Sequence, residues 1–397
     1  MAKLIEITGR ALSGEWGMED ENGNGIPVLR TTNFTNEGTV NYSNIVTRII
    51  EKKNIEEKFL RKGDIIIEKS GGSDKFPVGR VIYFDGEENI YLFNNFTGLL
   101  RVKNLKKWYP KYVFYSLFAN YKRGGTRTFE NKTTGLHNLK INDYVSRYEV
   151  IEISRNKQVA ICEKLDKIHK IIRKKSEEMK LLDELIQSRF VELFGDPKLN
   201  NKGWKIGIVS DYYKVKGGKR IPKGMGYARG VTKHPYLRAT DMKNETILDN
   251  DIHYIDDEVY EHIRRYTVKA GDIYLTNVGV NLGMAGIIPD KYDGANLTEN
   301  AVKLVPRTEK IMDGLFLAHY INSPGIQNYI NERKMSVGVP KLAIFRIETM
   351  PLILPPIELQ NQFADFVASI DKSKSKIQKS LEETQLLFDS LMQRYFG

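Results

Sequence analysis

The stretch FLRKGDIIIEKSGG, beginning at Phe59, returns as TVKAGDIYLTNVGV, beginning at Thr267. Gly63-Asp64 and Gly271-Asp272 are 208 positions apart, as are Leu29-Arg30 in VLRTTNF and Leu237-Arg238 in YLRATDM. Two matches in the same order and at the same offset indicate a duplicated unit. A third, YVFYSLFAN from Tyr112 against GLFLAHYIN from Gly314, falls at an offset of 202. Its apolar residues recur at helical spacing, so it reads as a short helix in each copy. Loops of unequal length in two related units account for the drift in offset.

In each copy a glycine-containing loop follows, KRGGTRTFENKTTGLHNL from Lys122 and NERKMSVGVPKL from Asn331. Each leads into a long polar-apolar segment, the first ending in VELFG at Gly195 and the second in RYFG at Gly397. Ile161, Leu165, Ile168, Ile172, Met179, Leu182 and Ile186 keep an alternating 4-3 spacing, with Lys175 as its one lapse. Phe363, Val367, Ile370, Ile377, Leu381, Phe388 and Leu391 do the same, with Lys374 and Thr384 as lapses. A period of 3.5 held over about four heptads indicates a coiled-coil seam. The alternative is two amphipathic helices, each packed on its own domain. Length argues against it, since residues 155–193 span about 58 Å as a helix. With the two helices packed together, Lys175 is expected to meet Lys374 or a neighbour.

Short β-like runs (GDIIIE, GRVIYF, GDIYLTNV, AGIIP) alternate with Gly, Asn and Asp turns ahead of each helix. The expected fold is therefore α+β, with two β-rich domains in tandem and two long helices. Domain boundaries are expected at 1–153, 154–195, 196–357 and 358–397.

No run of about 18 uncharged apolar residues is present, so no membrane span is expected. MAKLIEITGR lacks the apolar region of a signal segment. The single cysteine, Cys162, excludes a disulfide framework and suits a reducing cytoplasm. Net charge is +11, of which the helical segments 154–193 and 358–397 carry +3 and −1, leaving +9 elsewhere. That excess favours a polyanionic partner.

Catalytic signatures are missing. GGKRIPKGMG from Gly217 has the wrong spacing for a phosphate-binding P-loop, and no G-x-G-x-x-G opens a helix after a strand. There is no Asn/Asp-Pro-Pro-aromatic tetrapeptide of an amino-methyltransferase, since Pro355-Pro356 lies between Leu354 and Ile357. The six histidines show no zinc-site spacing. His137 and His234 read as polar loop residues, Glu56 and Lys58 as a chance E-x-K, and Cys162 as a small buried hydrophobe. No catalytic residue, metal site or bound cofactor is expected.

What remains is a set of loops combining Arg and Lys with Asn, Thr, Ser and glycine. Arg and Lys neutralise phosphates, glycines admit close backbone approach, and Arg and Asn read purine edges in the major groove. The candidate DNA-binding residues are Arg30, Asn33, Lys69, Ser70, Arg123, Thr126, Arg127, Lys216, Lys219, Arg220, Arg238 and Asn277. Solvated surface loops are the competing reading. At the level of the whole chain, the competitors are a coiled-coil adaptor without DNA recognition and a self-contained methyltransferase or nuclease.

These residues resemble the specificity subunits of type I restriction–modification enzymes. SGEWG from Ser13, IPVLRTTNF, the paired Gly-Asp strands, GGTRTFENKTTGLHNL, MSVGVPKL and PLILPPIELQNQFADFVASID from Pro351 carry the resemblance over nearly the whole chain. YEVIEISRNKQVAICEKLD departs from the pattern in having no prolines before the first helix. The resemblance implies two target recognition domains, each reading half of a split site in double-stranded DNA. It implies that the long helices pair as an antiparallel coiled coil, hold the domains apart and dock two methyltransferase subunits. S-adenosylmethionine and ATP then belong to partners, the ATP to a restriction subunit that can join.

Overall fold

The repeated Gly-Asp stretch folds the same way in both copies. Gly63 and Gly271 take φ of +94° and +78°, a backbone region that a Cβ disfavours. The aspartate locks the turn: Asp64 Oδ2 accepts from the Arg61 N–H at 2.8 Å, and Asp272 Oδ2 from the Lys269 N–H at 2.9 Å. A cation from the neighbouring chain segment meets each carboxylate, Arg101 at 2.6 Å from Asp64 and Lys303 at 2.8 Å from Asp272. The apolar run that follows forms strands Ile65–Glu68 and Ile273–Thr276, buried along their whole length. Ile65 and Ile67 join one apolar cluster and Ile66 another, just as Ile273 and Leu275 separate from Tyr274. Covered on both faces, such a strand reads as a continuous apolar run instead of an alternation.

The computed structural model describes residues 1–52, 55–133, 136–308, 312–336 and 338–397. Thr134 and Gly135 of the first matched loop and Val337 of the second lie outside the described residues. Two units are distinguished: Met1–Ser176 with Lys379–Gly397, and Glu177–Gln378. In the first, an antiparallel sheet runs in the order Leu12–Ser13, Thr97–Leu100, Ile65–Glu68, Val81–Tyr83. In the second the order is Tyr213–Gly217, Ala301–Pro306, Ile273–Thr276, Ala285–Ile287, the same topology strand for strand. Among the described residues each unit also has one parallel pairing, Ile26–Leu29 with Leu92–Phe93 and Pro235–Leu237 with Asn296–Leu297. The short helices Pro110–Lys122 and Gly314–Asn322 cap at Tyr109 and Asp313, which are 204 positions apart. Their true alignment is thus shifted by two residues from the sequence match, because two apolar helices of similar composition slide past each other in a comparison.

The long helices are Arg155–Phe194 and Ile357–Phe396, and the boundary between the units falls inside both. A short strand pair precedes each, Ala2–Lys3 with Glu149–Val150 and Lys205–Ile208 with Pro351–Leu354. The missing prolines of the first copy therefore leave that approach unchanged in kind. One turn into each helix sits a buried glutamine. Gln158 Oε1 accepts from the Tyr109 N–H at 2.8 Å, while its Nε2 donates to Lys107 O and Ile153 O. Gln360 Oε1 accepts from the Asp313 N–H at 2.9 Å, and its Nε2 donates to Pro355 O. The same latch thus ties long helix to short helix in both units.

Within each unit the two helix portions run antiparallel. In the first, His169 lies against Phe388 and Lys175 against Ser380; in the second, Asp183 lies against Lys374 and Phe190 against Phe363. All fourteen seam residues are buried or half-buried. Lys175 does not meet Lys374. Its Nζ donates to Ser380 O and Thr384 Oγ1, whereas Lys374 Nζ lies 2.6 Å from Asp183. Two ammonium groups in one seam would repel, and each has found an acceptor instead. The helices also belong to the unit cores. Cys162, Leu165, Phe388, Met392 and Phe396 pack with Tyr112 and Tyr115, and Ile186, Phe190, Phe194, Phe363 and Val367 pack with Phe316 and Tyr320.

Candidate nucleic-acid interface

The Leu-Arg dipeptides end matching strands, and a side chain three residues on holds each turn. Asn33 Oδ1 accepts from the Arg30 N–H at 2.9 Å, and Asp241 Oδ2 from the Arg238 N–H at 2.8 Å. The guanidinium of Arg238 is held by Asp241 at 2.7 Å and Asp251 at 2.9 Å. The hydrogen bonds it donates to Asp241 and Asp251, outweighing partial burial, push its pKa above the usual guanidinium range. Arg30 is less constrained, donating to Asn44 O at 3.0 Å.

Three candidates are corrected. Asn33, Thr126 and Asn277 are buried. The Asn33 amide donates to Asn41 O and Ser43 O, and the Asn277 amide to Leu342 O. The methyl of Thr126 packs so close to Gly79 that a Cβ there would come within 2.8 Å of it. Asn and Thr bond backbone as readily as they bond bases, so composition alone cannot separate the two uses. Arg123 is exposed, and its Nη2 donates to Phe396 O at 2.7 Å, capping the last turn of the second long helix.

The remaining candidates reach the surface. Lys69 is half-buried and donates to Ser13 Oγ at 2.9 Å; burial, then Lys58, lowers its pKa. Ser70 is half-buried beside it, and Arg127 is exposed with Nη2 near Asp74 O and Lys75 O. Lys216, Lys219 and Arg220 are exposed. Arg220 pairs with Glu299 at 2.7 Å, and Lys219 Nζ stands 5.8 Å from the Tyr266 ring centroid.

These three, marked by the sequence, belong to a cationic stretch longer than the loop that marked them. Residues 214–238 hold eight Lys/Arg and no Asp/Glu. Seven of them, Lys214, Lys216, Lys219, Arg220, Lys223, Arg229 and Lys233, are exposed. A sliding charge count would have found it. Beside it lies a cleft of about 500 Å³, lined among others by Arg220, Tyr227, Tyr236, Arg238 and Glu299. The counterpart stretch of the first unit, residues 6–30, holds two Lys/Arg and five Asp/Glu, so the two surfaces differ in charge although the strands match.

The other reactive groups are held within the fold. His137 Nδ1 lies 2.9 Å from Glu130, and His234 Nε2 lies 2.8 Å from Asp257 while its ring stacks on Tyr260. Lys58 pairs with Glu15. Cys162 is buried, and burial pushes its thiol pKa up, away from thiolate chemistry. Among the described residues no group of three or more ligating side chains converges on a metal position, and no helix is long and apolar enough to cross a membrane.

The sequence profile described as "Type I restriction modification DNA specificity domain" matches twice, over residues 2–181 and 201–384. The chain belongs to this family. The matched segments together cover both units, as the internal repeat requires. Two specificity subunits of Methanocaldococcus jannaschii type I restriction enzymes are related family members. The MjaX subunit is 23% identical over 199 residues, 49% of this chain and 45% of that one. The MjaVIII subunit is 25% identical over 198 residues, 49% and 42% of the respective chains. The match thus spans less than half the length of these curated relatives. The S subunit of the M. genitalium type I restriction-modification system has the same fold, with a TM-score of 0.56 at 17% identity over 100% of this chain and 95% of that one. A chain solved in work on complex assembly and conformational transition of the type I R-M system gives 0.55 at 13% identity, over 100% and 96%. These two likenesses establish the family fold of tandem β-rich units with long helices.

Proposed function

We propose that this chain is the DNA-reading subunit of a type I restriction–modification complex, non-catalytic itself, in which each unit reads one half of a bipartite duplex site. The observation that carries this reading is one scaffold built twice, with an exposed, acid-free cationic stretch at 214–238. Shared strands position the loops, and differing loops permit two different half-sites. The methylation and restriction chemistry, with S-adenosylmethionine and ATP, resides on partner subunits. Two methyltransferase subunits dock on the long helices, and a restriction subunit joins them. Apolar side chains left on the outer helix surface support this docking: Ile171, Leu386 and Leu387 in the first unit, and Leu181, Leu185 and Val191 in the second. The cytoplasm is the compartment in which such a complex meets DNA.

The test is duplex binding by the full chain, alone and with its methyltransferase subunits, across a salt series. A reader gives a log K against log salt slope of several units, and alanine at Lys216, Lys219 or Arg220 reduces that slope by about one each if the residue neutralises a phosphate. An adaptor gives no salt-dependent binding. Methylation or cleavage by the purified chain alone would revive the enzyme reading.

A further inference from the structure

Where one scaffold serves two half-sites, bases are read at positions where the backbones coincide and the side chains differ. One such position follows the parallel strand pair. The Asn94 N–H donates to Leu29 O at 2.9 Å, and the Thr298 N–H donates to Leu237 O at 3.0 Å. These two residues are equivalent, each next to the Leu-Arg turn of its unit. The turn beyond them carries Asn95-Phe96 in the first unit and Glu299-Asn300 in the second. Asn95 and Phe96 are exposed, Phe96 to 52%.

In the second unit this turn helps to line the 500 Å³ cleft, as does Tyr227, which stands edge-on to Tyr236 with centroids 5.9 Å apart. A carboxylate here is out of character with the cations around it, because it repels phosphate. It is also firmly placed. Glu299 Oε1 accepts from Arg220 Nε at 2.7 Å and Oε2 from Thr298 Oγ1 at 3.1 Å. Burial opposes its ionisation, but the hydrogen bonds from Arg220 and Thr298 prevail and hold its pKa below the usual carboxylate value. The Tyr236 O–H also donates to Oε2, at 3.5 Å, and since a carboxylate has about four acceptor sites, about one remains for a ligand. A fixed anion cannot bind phosphate, but it can accept from an exocyclic amino group, which marks cytosine or adenine on the major-groove edge.

We infer that Glu299-Asn300 is a specificity-determining turn, in which Glu299 accepts from the amino group of a cytosine or adenine, and that Asn95-Phe96 reads at the equivalent place in the first unit. This rests on the DNA-reading function proposed above and locates the reading. The test is selection from a randomised duplex library by the full chain with its methyltransferase subunits, comparing the parent with Glu299→Gln and Phe96→Ala. The glutamine keeps an acceptor for Arg220. The expected result is a parent preference for an amino-bearing base at one position of one half-site, weakened in Glu299→Gln by about tenfold with all other positions unchanged. Phe96→Ala is expected to alter the other half-site alone. If Glu299→Gln selects the parental sequence with uniformly lower affinity, Glu299 only anchors Arg220 and the inference is overturned. A parent that enriches no sequence overturns the DNA-reading function itself, a distinct result.

Discussion

The ammonium of Lys175 lies 2.8 Å from the hydroxyl of Thr384, so two polar interruptions of the helix seam satisfy each other within the first unit. A polar pair in such a seam fixes register and forgoes apolar packing. Replacing both, as Lys175→Leu with Thr384→Leu, is expected to leave the protein as stable or to make it more stable, because apolar side chains then fill seam positions that a half-buried charge and hydroxyl occupied. Urea denaturation measures this. A loss of more than about 1 kcal/mol in the double variant would show the pair to be a net source of stability.

A fragment ending at Gly195 is expected to form a twofold dimer. The first unit's core takes Phe388, Met392 and Phe396 from the second long helix, and the fragment lacks them. Ile186, Phe190 and Phe194 stand 202 positions earlier and fill the corresponding place in the second unit. A second copy of the fragment can therefore supply them. At that register Lys175 of each copy falls opposite Glu178 and Leu182 of the other, which removes the like-charge clash that a lysine-to-lysine seam would carry. Glu178→Lys should then block dimerisation, and adding Lys175→Glu should restore it, read by sedimentation at micromolar concentration. The dimer is expected to prefer a palindrome, because protein symmetry imposes site symmetry. A fragment that stays monomeric at high micromolar concentration sinks the idea.

Gln158 and Gln360 are buried and hold the N-cap of a short helix to a long one. Alanine at either strands a backbone N–H and one or more carbonyls away from water, at about 1–3 kcal/mol for each group left unpaired. Glutamate retains only the acceptor half of the latch, so Gln158→Glu should be intermediate at best. Thermal denaturation of Gln158→Ala with no drop in Tm would mean that water replaces the latch.

Two glutamates, Glu68 buried and Glu245 half-buried, should show opposite pH dependence. Burial raises the pKa of Glu68, with Arg80 only partly offsetting it. Its contribution to stability is therefore present at low pH and lost as pH rises through the raised value. Burial also opposes ionisation of Glu245, but His319, 3.0 Å away, and Asn322 prevail and lower its pKa. Its contribution is present at neutral pH and lost as pH falls through the lowered value. Near pH 7, Glu68→Gln should raise Tm and Glu245→Gln should lower it, each by about 2–4 °C, the shift that 1 kcal/mol gives in a domain of about 200 residues. Both differences should shrink in acid. Shifts of the same sign at pH 7 would refute the assignment.

The sequence by itself determined the elements and their duplication. The Gly-Asp turn, the buried strand after it and the 3.5-residue seam are set by near neighbours and by side-chain periodicity, both written along the chain. It also marked the exposed cations, because Lys216, Lys219 and Arg220 sit in a stretch with no acid to pair them locally. It did not separate Asn33, Thr126 and Asn277 from surface residues, because an amide or hydroxyl that ties a loop looks the same in sequence as one that binds a base. The partner of Arg123 is a carbonyl 273 residues away. Above all, Ile186, Phe190 and Phe194 repeat the spacing of Phe388, Met392 and Phe396, so either set suits either core by pattern. Only the tertiary structure decided that the end of the second helix closes the first unit. Apolar burial is non-directional, and which surfaces meet depends on where the whole backbone brings them.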